Sequence, residues 1–144
     1  MTKNLFIEVL NRYRNGNMTL DELHSWLISN SSVASSNLKR SSYLKLKQGN
    51  PLPACKETLH PCKYCDYIFP QGDFEDYATF GKCDDEIKKN RSINNIVAIQ
   101  EPSFANLLPK ALGGSVFFKC SHCCSVWQII LPERAQRGSW NRVA

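Results

Sequence analysis

Two Cys-x-x-Cys pairs, Cys62/Cys65 and Cys120/Cys123, constrain this chain more than any other feature. Two thiolates separated by two residues can grip one metal ion from a tight turn, with backbone N–H groups aimed at the sulfurs. Two such turns supply four soft ligands in a tetrahedron, a donor set that suits zinc. Cys62, Cys65, Cys120 and Cys123 are therefore the candidate ligands. Four thiolates leave no open position for water or substrate, so a zinc ion held this way is structural. The pairs stand 54 residues apart, whereas compact sites often use about 15–20. The intervening segment then reads as an insertion between two knuckles of zinc-ribbon type.

Other readings of these cysteines compete. A disulfide in either pair is disfavoured in a reducing compartment. A thioredoxin-like redox pair opens a helix after a strand. Residues 66–70 read instead as a strand, and an adjacent Asp66 does not lower a thiol pKa. Cys55, Cys83 and Cys124 read as unmetallated cysteines, which pack as small apolar residues. His60, His122, Cys55, Cys83 or Cys124 could still replace one of the four ligands. His24 reads as a surface residue.

The 144 residues, 42% hydrophobic and 22% charged, suffice for one compact domain or a small domain plus an arm. No run of about 18 apolar residues is present, so no membrane span is expected. Glu8 and Arg12 interrupt the opening, so no secretory leader is expected and a cytoplasmic location is. No glycine-rich phosphate loop, nucleophile elbow or recognisable histidine spacing occurs, so the expectation is a protein that is not an enzyme.

Hydrophobic spacing divides the chain in two. Leu5, Phe6, Val9, Leu10 and Tyr13 form one face of a helix over 3–14, which Asn15, Gly16 and Asn17 stop. Thr19 and Glu22 have capping-box spacing, and Leu20, Leu23, Trp26 and Leu27 line the helix that follows. Residues 29–53 are serine-rich and basic and read as a connector with one short element around 38–46. From residue 54 onward the signals favour strands and turns. The run 96–99 reads as a buried strand, Pro109 interrupts a helical turn at 104–112, and Gly113 and Gly114 mark a turn. Strands at 115–119 and 125–131 flank the second cysteine pair. The fold class is α+β: an N-terminal helical hairpin packed on a mostly antiparallel β domain with zinc-ribbon-like knuckles. The division is residues 1–53 and 54–144, with an acidic insertion at 66–86.

Charge is distributed unevenly around a net +5. Residues 1–50 hold seven Lys/Arg against three Asp/Glu, residues 51–90 five against eight, and residues 91–144 six against two. The acidic middle, interleaved with aromatics, offers Asp73, Phe74, Glu75, Asp76, Tyr77, Asp84, Asp85 and Glu86 as a surface for a basic protein. Equally, Phe69 and Phe80 read as core while the acids face water. The basic tail, with Arg134, Arg137, Trp140 and Arg142, suits nucleic acid, an acidic protein, or a segment folded back with Trp140 buried.

The C-terminal pattern has Phe117, Phe118 and Lys119 before Cys120-x-x-Cys123, then Trp127, Pro132, Glu133, Arg134, Ala135, Arg137, Gly138 and Trp140. It resembles endings of small bacterial immunity-type proteins from toxin–immunity loci, including those of contact-dependent growth inhibition. The opening, with Leu10, Tyr13, Gly16, Met18, Thr19, Leu20, Glu22, Leu23, Trp26 and Leu27, is similar to helical openings in such proteins. Together these stretches cover about a third of the chain. The resemblance implies a cytoplasmic protein that neutralises a cognate toxin domain by tight binding, and it carries over no particular contact residue. Inhibitors of basic nuclease toxins are expected to be acidic, so the segment 66–86 would supply that complementarity locally. The alternative is a zinc-ribbon nucleic-acid-binding or regulatory protein that uses its basic ends.

Overall fold

A computed structural model describes residues 2–144 and has an α+β architecture. Contacts within the chain separate two compact units: residues 1–60 together with Ala144, and residues 61–143. The boundary read from the sequence, between 53 and 54, falls inside a helix of the first unit. No helix among the described residues is long and apolar enough to cross a membrane.

The first unit is helical throughout. Helix α1 (Thr2–Arg14) buries Phe6, Val9, Leu10 and Tyr13, while Leu5 is exposed. Helix α2 (Leu20–Ser29) begins with the expected capping box. The Glu22 amide donates to Thr19 Oγ1 at 3.1 Å, and the Thr19 amide donates to Glu22 Oε1 at 3.1 Å. Two otherwise unpaired helix-end donors are thereby satisfied. Phe6 stacks on Trp26 with centroids 5.9 Å apart, which joins the two helices.

The serine-rich stretch is more than a connector, although the short element expected around 38–46 is present as a helix at Arg40–Lys47. It forms α3 (Ser31–Asn37) and α4 (Arg40–Lys47), and α5 (Leu52–Thr58) follows where strands were expected to begin. The Ser35 and Ser36 hydroxyls donate back to carbonyls three residues earlier, so they satisfy helix instead of breaking it. Ala34 and Leu46 are buried, and that burial outweighs weak local propensity. Proline in the first turn of α5 removes a donor that would be unpaired there anyway.

The second unit is a five-stranded, wholly antiparallel sheet with one long helix. After α6 (Lys63–Asp66) come β1 (Gly72–Asp73), α7 (Tyr77–Ser92), β2 (Ile96–Ile99) and a 3-10 turn (Ser103–Leu107). Strands β3 (Ser115–Cys120), β4 (Val126–Ile130) and β5 (Ser139–Arg142) complete it, in the order β1-β5-β4-β3-β2. The register sets Ile96 opposite Cys120, Phe118 opposite Trp127, and Ile129 opposite Trp140. Side chains alternate along a strand, so these residues share one face of the sheet. With Cys65, Ile68, Phe74, Cys83 and Ile87 they form one continuous core. Trp127 and Trp140, both fully buried, stack with centroids 5.0 Å apart at 12°.

One expectation in this unit, the strand at 66–70, is corrected, and two regions are defined more closely. Residues 66–70 form no strand; they leave α6 and run to the short β1. The acidic insertion is not simply a solvated loop, because its second half is the start of α7. Asp76 caps that helix, accepting from the Thr79 amide at 2.8 Å. Cys83 and Ile87 turn into the core and the carboxylates line the remaining surface. Of the three readings of the basic ending, the segment folded back with Trp140 buried is the one found. It pairs as β5 with β4, which buries Trp140 and Arg142 and leaves Arg134 and Arg137 exposed.

Gly138 enters β5 at φ +81°, and a Cβ there would fall on the Ile130 carbonyl oxygen and within 2.9 Å of the Pro132 nitrogen. Gly138→Ala is expected to destabilise by at least about 1 kcal/mol, since both conformation and space oppose it. Gly81, inside α7 with nothing near its missing Cβ, is the control: Gly81→Ala should stabilise by about 0.5–1 kcal/mol. Urea unfolding of both variants distinguishes the two effects.

The Asp76 cap makes a pH prediction. Hydrogen bonds from the Thr79 side chain and amide hold the Asp76 carboxyl below its usual range. A lowered folded pKa contributes stability above the unfolded carboxylate value, about 3.9, and loses it as pH falls through the folded value. Asp76→Ala should therefore lower the thermal midpoint at neutral pH and narrow its gap to the natural protein as pH drops below about 4.

Candidate metal centre

The two cysteine pairs meet, although they come from different kinds of structure. Cys120 ends β3 and Cys123 lies in the turn before β4, as expected of a knuckle between two strands. The first pair is not in a matching hairpin: Cys62 is the N-cap of α6 and Cys65 lies within it. The amides there close helical turns. Asp66 donates to the Cys62 carbonyl at 2.9 Å and Cys65 donates to the same oxygen at 3.3 Å.

All four sulfurs lie within 4.8 Å of one another, and they form a group that could hold a metal ion. Cys62 and Cys120 are 3.5 Å apart, Cys65 and Cys123 3.6 Å, and Cys62 and Cys65 4.0 Å. A tetrahedron with zinc–sulfur bonds of about 2.3 Å has edges of about 3.8 Å. The short edges run between the knuckles, not within one. A redox pair would instead bring together the two sulfurs of a single Cys-x-x-Cys. The helix opening at Cys62 is the context expected for such a pair, but these distances assign the sulfurs to one four-membered set. All seven cysteines are free.

The thiol electrostatics differ across the cluster. Burial pushes the Cys65 thiol well up, and the neighbouring Cys123 adds to this. Burial also pushes Cys120 up to about 11, against the amides of Cys123 and His122. At Cys123 burial raises the pKa, but the Ser125 hydroxyl and amide and the Cys62 amide outweigh it and bring it down to about 6. Four thiolates this close repel one another in a low-dielectric wall, and a divalent cation among them removes that penalty.

The other cysteines and histidines stay outside this group. Cys55 and Cys83 are buried as apolar residues, and Cys124 is half-buried at φ +66°. His60 and His122 are exposed. The His122 ring stacks on Tyr64 at 4.1 Å, and its Nε2 lies 3.1 Å from Asn95 Oδ1, which braces one knuckle against the other. The spacing of the cysteines gave no sign of this stack.

The eight acidic and aromatic positions separate by exposure. Asp73, Glu75, Asp76, Tyr77 and Asp85 are exposed, while Asp84 and Glu86 are half-buried. Asp84 pairs with Lys88 at 3.0 Å. Phe74 is fully buried between Phe69 and Phe80, so it belongs to the core and is unavailable to a partner.

No protein-family model matches the chain, and neither does any curated protein or solved structure.

Metal uptake is the direct check on the cluster. Protein purified without chelator should carry one metal ion per chain, read by elemental analysis. Cys62→Ser and Cys120→Ser should each lose it and melt earlier, whereas Cys55→Ala should keep it. Similar metal content in all three variants would refute the four-sulfur site.

Proposed function

We propose that the four thiolates hold one structural zinc ion, and that this rigidified protein is a non-catalytic inhibitor that neutralises a cognate bacterial toxin domain in the cytoplasm. The observation that carries the zinc reading is the sulfur geometry, with all four atoms within 4.8 Å of one another and three of the separations at 3.5 to 4.0 Å. A closed thiolate set supplies folding energy and presents no site for substrate. The toxin reading rests on the resemblance of both ends of the chain to immunity-type proteins.

A contact surface is available for such a partner. Asp73, Glu75, Asp76, Tyr77 and Asp85 present carboxylates and an aromatic ring around the start of α7. Asp84 and Glu86 add to the same charge. This local acidity offsets the overall positive charge and would steer a basic toxin domain. The nucleic-acid reading is less supported, since two residues of the basic ending, Trp140 and Arg142, are buried.

The experiment is co-expression with a toxin domain encoded beside this gene. Growth should be rescued, and the purified pair should bind. A Glu75→Lys, Asp85→Lys double variant should associate at least about 10-fold more slowly at low salt, with little change in melting. Strong salt-dependent binding to random duplex DNA, with no rescue, would favour the nucleic-acid alternative.

A further inference from the structure

The sheet has a second face, opposite the one that carries Cys120. Phe118, Cys120, Trp127 and Ile129 belong to the core. Phe117 and Gln128 pair directly across β3 and β4, so by alternation both project to the other side. The chain that follows β2 lies against that side, and between them is a cavity of about 390 Å³. Its lining includes Phe117 and Gln128 from the sheet, and Glu101, Leu108, Pro109 and Lys110 from the covering segment. A volume of this order suits a small-molecule ligand.

Gln128 is the unusual member of the lining. It is only 7% exposed, and its side chain makes no hydrogen bond among the described residues. What remains accessible of it opens into the cavity. A carboxamide enclosed in a central strand without a partner opposes folding, so its presence there calls for a ligand that completes it. The carboxamide sets an acceptor and a donor side by side. Its complement is a planar group that carries a donor next to an acceptor, as adenine does with its 6-amino group and N7. Phe117, with Leu108 and Pro109, supplies apolar surface from both the sheet and the covering segment, which suits a flat ring. Glu101 and Lys110 are the charged members of the lining, and they are exposed and opposite in sign. The cavity therefore has no net charge with which to hold a phosphate. We infer that this cavity binds a neutral adenine-type purine, with Gln128 paired to its donor–acceptor edge and Phe117 against its ring. The site is separate from the metal centre and requires no toxin partner.

The probe is adenosine, titrated into the full-length protein while the Gln128 side-chain amide is followed by NMR. That signal should shift and saturate. Inosine presents two acceptors where adenosine has a donor and an acceptor, and it should bind at least about 10-fold more weakly. Gln128→Leu should bind adenosine at least about 10-fold more weakly than the natural protein and no longer distinguish it from inosine. Lys110→Ala should leave adenosine affinity unchanged, and adenosine monophosphate should bind no more tightly than adenosine. Free glutamine, a carboxamide without a ring, should not compete. A Gln128 signal that adenosine leaves in place overturns the inference, as does equal binding of inosine. Tighter binding of the monophosphate, lost in Lys110→Ala, or competition by glutamine, overturns it in favour of a charged or an open-chain ligand. Should Gln128→Leu fail to fold, the comparison of adenosine with inosine on the natural protein decides.

Discussion

Four sulfur atoms cannot share so small a volume as thiolates without a cation. In the second unit four sulfurs lie within 4.8 Å of one another, where they could hold a metal ion. The pairs that meet are far apart in the chain, so closing the site closes a long loop. Within that loop lie α7, β2, the 3-10 turn and β3. A link that joins such distant points removes conformational freedom from the unfolded chain, and the cost of forming the loop grows only slowly with its length. A metal ion held by the four cysteines would therefore restrain the elements that build the core around it.

The site is continuous with that core. Cys65 and Cys120 are buried members of the cluster that contains Trp127, Trp140, Phe118 and Ile96. Cys62 and Cys123 lie at its edge, partly open to solvent. Half of the donor set is thus in a low-dielectric wall and half at the surface. Sheet register decides this arrangement: it sets Cys120 opposite Ile96 and Trp127 opposite Phe118 on one face. A slip of one residue would turn Trp127 and Cys120 to the other face and dissolve core and site together.

The acidic helix shows how one segment can serve two purposes. Cys83 and Ile87 commit one side of α7 to the core, while the carboxylates occupy the other sides. The charge is therefore held on a rigid element with a capped start, not on a loop that must be ordered on binding. A partner meeting preset carboxylates incurs less ordering entropy than one meeting a disordered segment.

Much was legible before the fold, wherever chemistry is local. The capping box at Thr19 and Glu22, the apolar faces of α1 and α2, the strands at β2, β3 and β4 and the four grouped cysteines depend on near neighbours or on ligand chemistry. Other features depend on distant partners. Serines at 31–36 form helix because Ala34 is buried, and a basic ending becomes β5 because β4 pairs with it. The first cysteine pair opens a helix, not a hairpin, and Phe74 enters the core despite its acidic neighbours. Residue type and spacing determine which groups can bind an ion or start a helix. Burial and register, which act between residues far apart in the chain, determine where those groups end up.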